Sequence, residues 1–157
     1  MPGLRAADSQ DTQGIRLLLE RNGLPTSDLA SSRPEFIVAH DGAELIGAGA
    51  LERFGAVALL RSVVVAADRR GTGLGQRIVQ EIEQRARYSG IEQLVLLTQT
   101  AAPFFERHGY RVIERGAAAP AVQASEEFRS LCPASSVCMS KALTRDTDAL
   151  ARLASPR

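Results

Sequence analysis

The sequence predicts a single α/β (α+β) domain built on a mixed, mostly antiparallel sheet that is flanked by helices. Three strand-like segments follow one another between residues 36 and 65, with a turn signal between each pair. A glycine-rich loop then opens a helix and a further strand follows, which is typical of a right-handed crossover between parallel strands. The length, 157 residues, suits one compact domain with a substantial core.

The N-terminal elements are predicted from the spacing of apolar residues and from turn residues. Gly3 to Ala7 reads as a short strand, and a helix with an N-cap at Asp8 or Ser9 ends at Asn22-Gly23. The stretch from Pro25 to Pro34 is rich in serine and proline, so we expect a loop with one helical turn near residues 28–30. Loops of this kind often cover a site.

Three antiparallel strands form the centre of the prediction. An Asp41-Gly42 turn joins Phe36 to His40 with Glu44 to Arg53, and Asp-Gly is the strongest short hairpin signal. A second turn at Phe54-Gly55 leads into the strand Val57 to Val65. The following helix carries apolar residues at every fourth position, namely Leu74, Ile78, Ile82 and Ala86.

The C-terminal third is harder to assign. The predicted elements are a buried strand, a short helix, a strand, a helix and a final strand: Leu94 to Thr98, Ala102 to His108, Tyr110 to Glu114, Ala121 to Phe128 and Ser136 to Ala142. We expect one domain over residues 1–143 and a polar tail over residues 144–157 that is either a surface helix or frayed.

Composition narrows the classes of function. Nineteen basic and 18 acidic residues give a net charge of +1, which argues against nucleic acid or an anionic membrane as the main partner. The apolar runs are far shorter than the roughly 18 residues of a membrane helix, and no secretory leader is visible. We therefore expect a cytoplasmic protein whose two cysteines are free thiols.

The glycine-rich loop is the strongest chemical feature. A helix N-terminus presents unpaired amides and a partial positive charge, and so favours an anion. Glycines at alternate positions let these amides converge on a phosphate or diphosphate, and Arg70 can add a charged contact. The alternative is a tight strand-to-helix turn without a ligand. The segment is Arg70, Gly71, Thr72, Gly73, Leu74, Gly75 and Gln76.

Two common phosphate-binding motifs do not fit. A Walker loop ends in Gly-Lys-Ser/Thr, whereas Gly75 is followed by Gln76-Arg77. A dinucleotide-binding fingerprint has the spacing G-x-G-x-x-G inside a parallel βαβ unit. Here the spacing is G-x-G-x-G and three antiparallel strands come first. The loop therefore predicts a different phosphate ligand.

Two segments resemble the GNAT family of N-acetyltransferases. Arg70 to Gly75, after the strand Leu60 to Val65, is similar to the family's R/Q-x-x-G-x-G/A motif, and Phe104 to Tyr110 is similar to its later "LYEKLGF" segment. The likeness covers about residues 3–115. Three further segments resemble a branch named for arsenic resistance: Leu59 to Ser62, Thr98 to Phe105 and Ser130 to Met139.

The resemblance implies a GNAT fold whose sheet is splayed between its fourth and fifth strands, with acetyl-CoA bound in the cleft. It implies direct attack by a neutral amine on the thioester, with a backbone N–H near Val63 or Val64 polarising the carbonyl. The implied partner is a small-molecule amine. Separately, the exposed edge strands of the predicted sheet are compatible with a homodimer. Coenzyme-binding residues would be Val63, Val64, Val65, the segment from Arg70 to Gln76, Thr98 and Phe105.

One position departs from the family pattern. Phe105 stands where the family often has a tyrosine that protonates the leaving thiolate, and a phenyl ring cannot donate a proton. Either coenzyme A leaves with little assistance, or Ser62, Thr98 or water supplies the proton.

The remaining candidate residues each have two interpretations. Arg61 either grips an acidic group of the acceptor or forms an ion pair with Glu52, since burying an unpaired guanidinium is costly. Glu52 is either a general base acting through water or a solvated strand residue. Cys132 and Cys138 are either soft ligands for trivalent arsenic or buried thiols, and their spacing does not suit a zinc site. No metal is expected.

Three functions remain open at this point. The first is an N-acetyltransferase for a small amine, amino-acid-like or arsenical. The second is a non-catalytic module that binds acyl-CoA or arsenic. The third is acetylation of protein N-termini.

Overall fold

A computed structural model describes residues 2–143 of the chain. Over these residues a seven-stranded mixed sheet has the order β1-β2-β3-β4-β5-β7-β6. The strands are β1 Gly3–Ala6, β2 Glu35–Asp41, β3 Glu44–Phe54, β4 Val57–Val65, β5 Gln93–Thr98, β6 Arg111–Val112 and β7 Val137–Ala142. The α-helices are α1 Thr12–Arg21, α2 Leu29–Ser32, α3 Leu74–Tyr88, α4 Ala102–Arg107 and α5 Pro120–Gln123.

Neighbouring residues on the strands point to opposite faces of the sheet, and each face is covered by helices. Ile37 and Leu60 lie in the core that α3 and α4 cover. Val38 packs with the helix α1, and Leu59 packs with α5 and the segment after it. Helix α3 lies very close to β3. A Cβ added to Gly49 would come within 2.7 Å of the Ile82 side chain, so the glycine permits this approach. The sequence prediction of helices on a mixed sheet is confirmed.

The β4–β5 pair is parallel, as the crossover predicts, and it is short. Ladder partners run from Val57 opposite Gln93 to Leu59 opposite Val95. Beyond this point β4 continues to Val65 and β5 to Thr98 without further pairing to each other. The predicted splaying between the fourth and fifth strands is therefore present.

Two predictions in the C-terminal third were wrong in detail. The strand expected over residues 110–114 is reduced to β6, because the Tyr110 amide instead donates to the Phe105 carbonyl and closes the end of α4. The helix expected over residues 121–128 is split into α5 and a π-helical segment, Glu127–Leu131. Ser125 breaks it, because its hydroxyl donates to the Val122 carbonyl and accepts from the Phe128 amide.

The predicted polar tail, residues 144–157, lies outside the described residues. Within residues 2–143, none of the helices combines the length and the apolar character that crossing a membrane requires. The chain also has no cis peptide bond in the part that the structure describes.

Candidate active site

The cleft between β4 and β5 has a volume of about 730 Å³. It extends from the glycine loop at one end to the π-helical segment at the other. Most of the residues that the sequence predicted as a site line it: Arg61, Ser62, Val63, Val64, Val65, Arg70, Gly75, Thr98, Phe105 and Cys132. A larger groove, of about 880 Å³, lies beside β1 and β2 and includes none of these residues.

A β-bulge shapes the β4 side of the cleft. Val64 pairs with Ala48 and Arg61 pairs with Ala50, so Ser62 and Val63 together lie opposite the single residue Gly49. Ser62 has a φ of 58°, in the left-handed region that costs a residue with a Cβ roughly 1 kcal/mol or more. Such strained positions cluster at functional sites. The bulge lies where β4 has already lost its β5 partner.

The edge of β4 that faces β5 is therefore available from Leu60 onward. Val63 and Val65 are partly buried against the α3 side of the sheet, and Val64 packs against α1. An extended ligand laid along this edge would meet unpaired backbone groups, as an added strand does. This is the arrangement that the resemblance implies for the pantetheine arm, and it depends on the backbone rather than on side chains.

The glycine loop ends in an uncapped helix N-terminus. Gly71 and Gly73 have φ values of 78° and 82°, and Gly73 is the N-cap of the 15-residue helix α3 without any side-chain cap. Nothing lies within 4 Å of where a Cβ would stand at either glycine. The first amides of α3 are thus left for an anion. Gly75 is different, because a Cβ there would make ordinary contacts at 3.7 Å with Phe104 and Val65.

The other residues of the loop hold its shape. Arg70 donates to Asn22 Oδ1 at 2.6 Å and to the Val65 carbonyl at 3.4 Å, which ties the loop to α1 and β4. The Thr72 hydroxyl donates to the Arg69 carbonyl at 2.7 Å. Leu74 is buried at 3% exposure and anchors the helix, whereas Gln76 is exposed.

Phe105 and Thr98 line the wall opposite β4. Phe105 is buried and makes edge-to-face contacts with Phe104 and Tyr110, at centroid distances of 5.1 and 5.4 Å. The Thr98 hydroxyl accepts a hydrogen bond from the Ala101 amide at 3.0 Å. Its own proton is thus directed away from that amide and is available for another acceptor.

Four charged side chains meet at the other end of the cleft and are called here the Arg61 cluster: the buried Asp28, Arg61 and Glu127 and the partly buried Glu52. Arg61 Nη1 and Nη2 donate to the two Asp28 oxygens at 2.6 and 2.7 Å, and Nη1 also donates to Glu52 at 3.0 Å. Arg61 Nε lies 3.6 Å from Glu127 Oε1. The ion pair with Glu52, one of the two interpretations of Arg61, is therefore present.

Asp28 belongs to the loop that the sequence predicted as a site cover. The Ser32 hydroxyl donates to it at 2.6 Å, and the amides of Ser31 and Ser32 donate to its carbonyl in the first turn of α2. Burial alone would raise the pKa of this carboxyl, but the hydrogen bonds from Arg61 and Ser32 outweigh it and hold the pKa below its usual value. Asp28 is thus a permanent counter-ion for Arg61.

Glu127 differs from the other two carboxylates of the cluster. It is 5% exposed, it lines the cleft, and its Oε2 has no hydrogen-bond partner among the described residues. Burial is the largest cause that raises its pKa to about 7; the charges of Asp28 and Glu52 add to it, and the charge of Arg61 opposes it. A carboxyl with this pKa exchanges a proton readily near neutral pH.

Glu52 does not face the cleft. It lines a separate pocket of about 590 Å³ together with Glu126, and it is not among the residues that line the cleft. The same cluster thus places Glu127 on the cleft and Glu52 on the far side of Arg61.

The two cysteines are separated by the structure. Cys132 lines the cleft, and burial together with the charge of Glu127 raises its pKa to about 12, so that it is a thiol at neutral pH. Cys138 is 3% exposed and packs with Leu59 and Val95 under α5, away from the cleft lining. Within residues 2–143, no group of three or more His, Cys, Asp or Glu side chains is placed to hold a metal ion.

Two residues of the cluster were missed by sequence reasoning. Asp28 lies in a polar loop, and Glu127 lies in a segment whose helical period is interrupted. The signals present were the buried arginine on β4, which requires counter-charges, and a carboxylate beside Phe128 on an otherwise apolar face.

Comparison with known protein families decides the class. Residues 32–112 match the family model described as "Acetyltransferase (GNAT) domain". The chain belongs to the GNAT family. The predicted GNAT fold and an acyltransferase domain are thereby confirmed, and the matched range includes the bulge of β4, the glycine loop and Phe105.

Two curated relatives and one solved structure are informative. The "Uncharacterized N-acetyltransferase YjcF" of Bacillus subtilis is 33% identical over 87 residues, covering 55% of this chain and 62% of the relative. The "Amino-acid acetyltransferase" of Ralstonia nicotianae is 33% identical over 120 residues, covering 68% of this chain and 26% of the relative. The chain thus spans less than two thirds of either protein.

N-acetylglutamate synthase from Neisseria gonorrhoeae, solved with coenzyme A and N-acetyl-glutamate, has a similar fold. Its TM-score is 0.79 at 21% identity, covering 92% of this chain and 36% of that one. The predicted cosubstrate, acetyl-CoA, agrees with the coenzyme A held by this neighbour.

Proposed function

We propose that this protein is an acetyl-CoA-dependent N-acetyltransferase that acetylates the amine of a small, amino-acid-like molecule. One observation carries the proposal: the unpaired edge of β4 leads from the bulge at Ser62 to the open amides at the start of α3. This path suits a long ligand that has an amide-rich arm and a diphosphate, which are the two parts of coenzyme A.

The coenzyme is held mainly by backbone groups. The amides of residues 71–76 bind the diphosphate, and the backbone of Val63 and Val65 pairs with the pantetheine arm. Arg70 borders the loop and adds a positive charge near the diphosphate. Thr98 and Phe105 form the facing wall, where the thioester lies.

The reaction is direct attack by the neutral amine on the thioester carbonyl. A backbone N–H near Val63 or Val64 donates to the carbonyl oxygen as negative charge develops there. Phe105 cannot protonate the leaving sulfur, so the candidates for this step are the hydroxyls of Ser62 and Thr98, and water. Glu52, the general base that the sequence suggested, does not line the cleft, so the role proposed for it is to orient Arg61 through their hydrogen bond.

The class of acceptor follows from the relatives. An amino-acid acetyltransferase is among the sequence relatives, and a structural neighbour was solved with N-acetyl-glutamate. The narrower resemblance to the arsenic-resistance branch adds arsenical amino acids to the acceptors to be tested. The proposal keeps the expectation of a cytoplasmic protein that forms a homodimer.

The test is a thiol-release assay with pure protein and acetyl-CoA over a panel of amines. The panel contains L-amino acids, an arsenical amino acid, simple aliphatic amines and a peptide with a free N-terminus. We expect thiol release and a matching acetylated product with amino acids. No release from any amine, together with no shift in melting temperature on adding coenzyme A, would contradict the proposal.

A second candidate function is supported by Phe105. Without the usual proton donor, the domain would bind acyl-CoA, or arsenic through Cys132, without turnover. In that case coenzyme A or arsenite raises the melting temperature while no acetylated product forms. Transfer to the peptide but not to free amino acids would instead favour N-terminal acetylation of proteins.

A further inference from the structure

Three buried side-chain polar atoms lack a hydrogen-bond partner among the described residues: Arg61 Nε, Glu127 Oε2 and Ser136 Oγ. All three residues line the same cleft. Buried polar atoms in native proteins are almost always paired, so each such atom needs an explanation. Their presence in the lining of one cleft indicates that a polar ligand completes them.

The chemistry of these three atoms is specific. Glu127 Oε2 is an acceptor when the carboxyl is ionised, whereas Arg61 Nε–H and the Ser136 hydroxyl are donors. A matching ligand presents N–H donors to one side and oxygen acceptors to the other. The ammonium and carboxylate of an α-amino acid form such a pair on adjacent atoms.

The two terminal nitrogens of Arg61 are already engaged by carboxylates of the chain. Nη1 and Nη2 donate to Asp28 and Nη1 also donates to Glu52, so three of the five N–H groups are used, and the Nε–H and one Nη2–H remain. Three carboxylates surround this single guanidinium, so the cluster as a whole has excess negative charge when Glu127 is ionised. An incoming ammonium is attracted by this excess, and an isolated anion is not.

We infer that the head group of an α-amino acid binds at this end of the cleft, with its ammonium on Glu127 and its carboxylate on Arg61 Nε–H and Ser136 Oγ–H. Glu127 then takes the proton that the amine must lose before it attacks. This inference rests on the proposed acetyltransferase function and names its acceptor class.

The proton and electron balance is simple. The acceptor arrives as an ammonium ion and gives one proton to Glu127. The nitrogen lone pair then attacks the thioester carbon, so that a C–N bond forms and the C–S bond breaks with its electron pair on sulfur. The sulfur takes a proton from the Ser62 or Thr98 hydroxyl or from water, and the second proton of the amine replaces it there, which yields the acetamide and coenzyme A. Glu127 finally returns its proton to solvent.

The surroundings of Glu127 set the expected pH response. The charged groups that face it are Arg61 from β4, Glu52 from β3 and Asp28 from the loop before α2, and the Cys132 thiol lies nearby. Because the ionised form of Glu127 is the active form, kcat/KM should rise with pH through the region near 7, which agrees with its raised pKa.

The first experiment compares Glu127→Gln with Glu126→Gln. Glu126 is adjacent in sequence, but it is exposed and lines the separate pocket beside Glu52. With L-glutamate, L-glutamine and L-alanine as probes, we expect Glu127→Gln to lower kcat/KM at pH 7 about 100-fold or more and to remove the rise near pH 7. Glu126→Gln should stay within about twofold of the wild type and keep that rise.

The second experiment tests the head group. Each amino acid is compared with its decarboxylated amine, namely 4-aminobutyrate, 4-aminobutanamide and ethylamine. We expect the wild type to prefer the amino acid about tenfold or more. Ser136→Ala should reduce this preference several-fold through KM, with little effect on turnover of the decarboxylated amines.

The outcomes separate the inference from the function on which it rests. An unchanged pH profile in Glu127→Gln, or equal use of amino acids and decarboxylated amines, overturns the assigned head-group site while acetyl transfer stands. Absence of coenzyme A binding in the wild type overturns the function itself. A melting-temperature rise with coenzyme A in Glu127→Gln equal to that of the wild type shows that the variant is folded.

Discussion

The two ends of the cleft are built in different ways. The coenzyme end consists of backbone: an unpaired strand edge, a bulge and two glycines with positive φ. The acceptor end consists of buried or partly buried charged side chains from β3, β4, the loop before α2 and the π-helical segment. A backbone site tolerates changes of side chain, whereas a buried charge cluster does not. Binding of coenzyme A and choice of acceptor should therefore respond to different mutations.

The largest expected effect is at the acceptor end. Arg61→Ala leaves the buried Asp28 and Glu127, with the partly buried Glu52, without a cation, which should cost about 3–5 kcal/mol of the free energy of unfolding. Urea unfolding measures this loss. Residual folded protein should lose acceptor binding more than coenzyme binding.

The matched control is Arg85→Ala. Arg85 pairs with Glu81 on the exposed face of α3 at 2.8 Å, and a pair of this kind contributes about 0.3–0.5 kcal/mol. If both arginine variants lost the same stability, the Arg61 cluster would not be the structural centre of the acceptor end.

The next effect concerns the protonation of Glu127 and is measured as stability against pH. Its pKa in the folded protein, about 7, lies above the usual value of a glutamate, so the folded state holds the proton more tightly. Stability should therefore fall as pH rises from about 4.5 to 7, by on the order of 2 kcal/mol. Glu127→Gln should remove this dependence. A stability difference between wild type and variant that stays constant over this range would contradict the buried, unpaired carboxyl.

The coenzyme end is probed by Gly73→Val. The valine places a branched side chain in the open space beside the helix N-terminus and forces a β-branched residue into the left-handed region. We expect KM for acetyl-CoA to rise about tenfold, with a stability loss of roughly 1–2 kcal/mol. Gly55→Val is the control, because Gly55 also has positive φ and open surroundings but lies in the β3–β4 turn. It should lose similar stability and keep KM; a rise of KM in both variants would mean that the effect is not local.

The smallest effect lies outside the cleft. Asp11 accepts from Arg5 at 2.7 and 2.9 Å and from the Asp8 amide at 2.8 Å, and the Arg5 hydrogen bond leads in lowering its pKa to about 2. Its stabilisation is present above pH 3.8 and is lost as pH falls towards 2. Asp11→Asn should cost about 1 kcal/mol at neutral pH, measured by thermal unfolding, and leave kcat/KM unchanged. A clear change in kcat/KM would mean that the start of this helix affects the cleft, which would contradict the prediction.

The difference between a coenzyme end built from backbone and an acceptor end built from side chains also explains what the sequence could predict. Backbone features leave local signals, and so the turn at Asp41-Gly42, the strand Val57–Val65 and the glycine loop before α3 were all located from residues close in sequence. The Arg61 cluster joins residues that are up to 99 positions apart, from Asp28 to Glu127, and no local pattern records such a meeting. Arg61 itself was identified because a buried guanidinium needs counter-ions. Which carboxylates become those counter-ions depends on the fold.

The wrong element bounds in the C-terminal third also result from contacts that a local sequence pattern does not show. Tyr110 reads as a strand residue, yet its hydroxyl donates to the buried Glu83 at 2.8 Å and its amide closes α4. Because of these contacts, Tyr110 is buried in the core and does not pair with β7. Ser125 likewise interrupts a helical period with its own hydrogen bonds.

The central claim is tested most directly by a crystal structure of the protein with coenzyme A and an L-amino acid. The account predicts the diphosphate on the amides of residues 71–76, the pantetheine arm along the β4 edge, and the ammonium group at Glu127 Oε2. Coenzyme A bound elsewhere, with the β4 edge closed by protein groups and Glu127 paired within the chain, would contradict it.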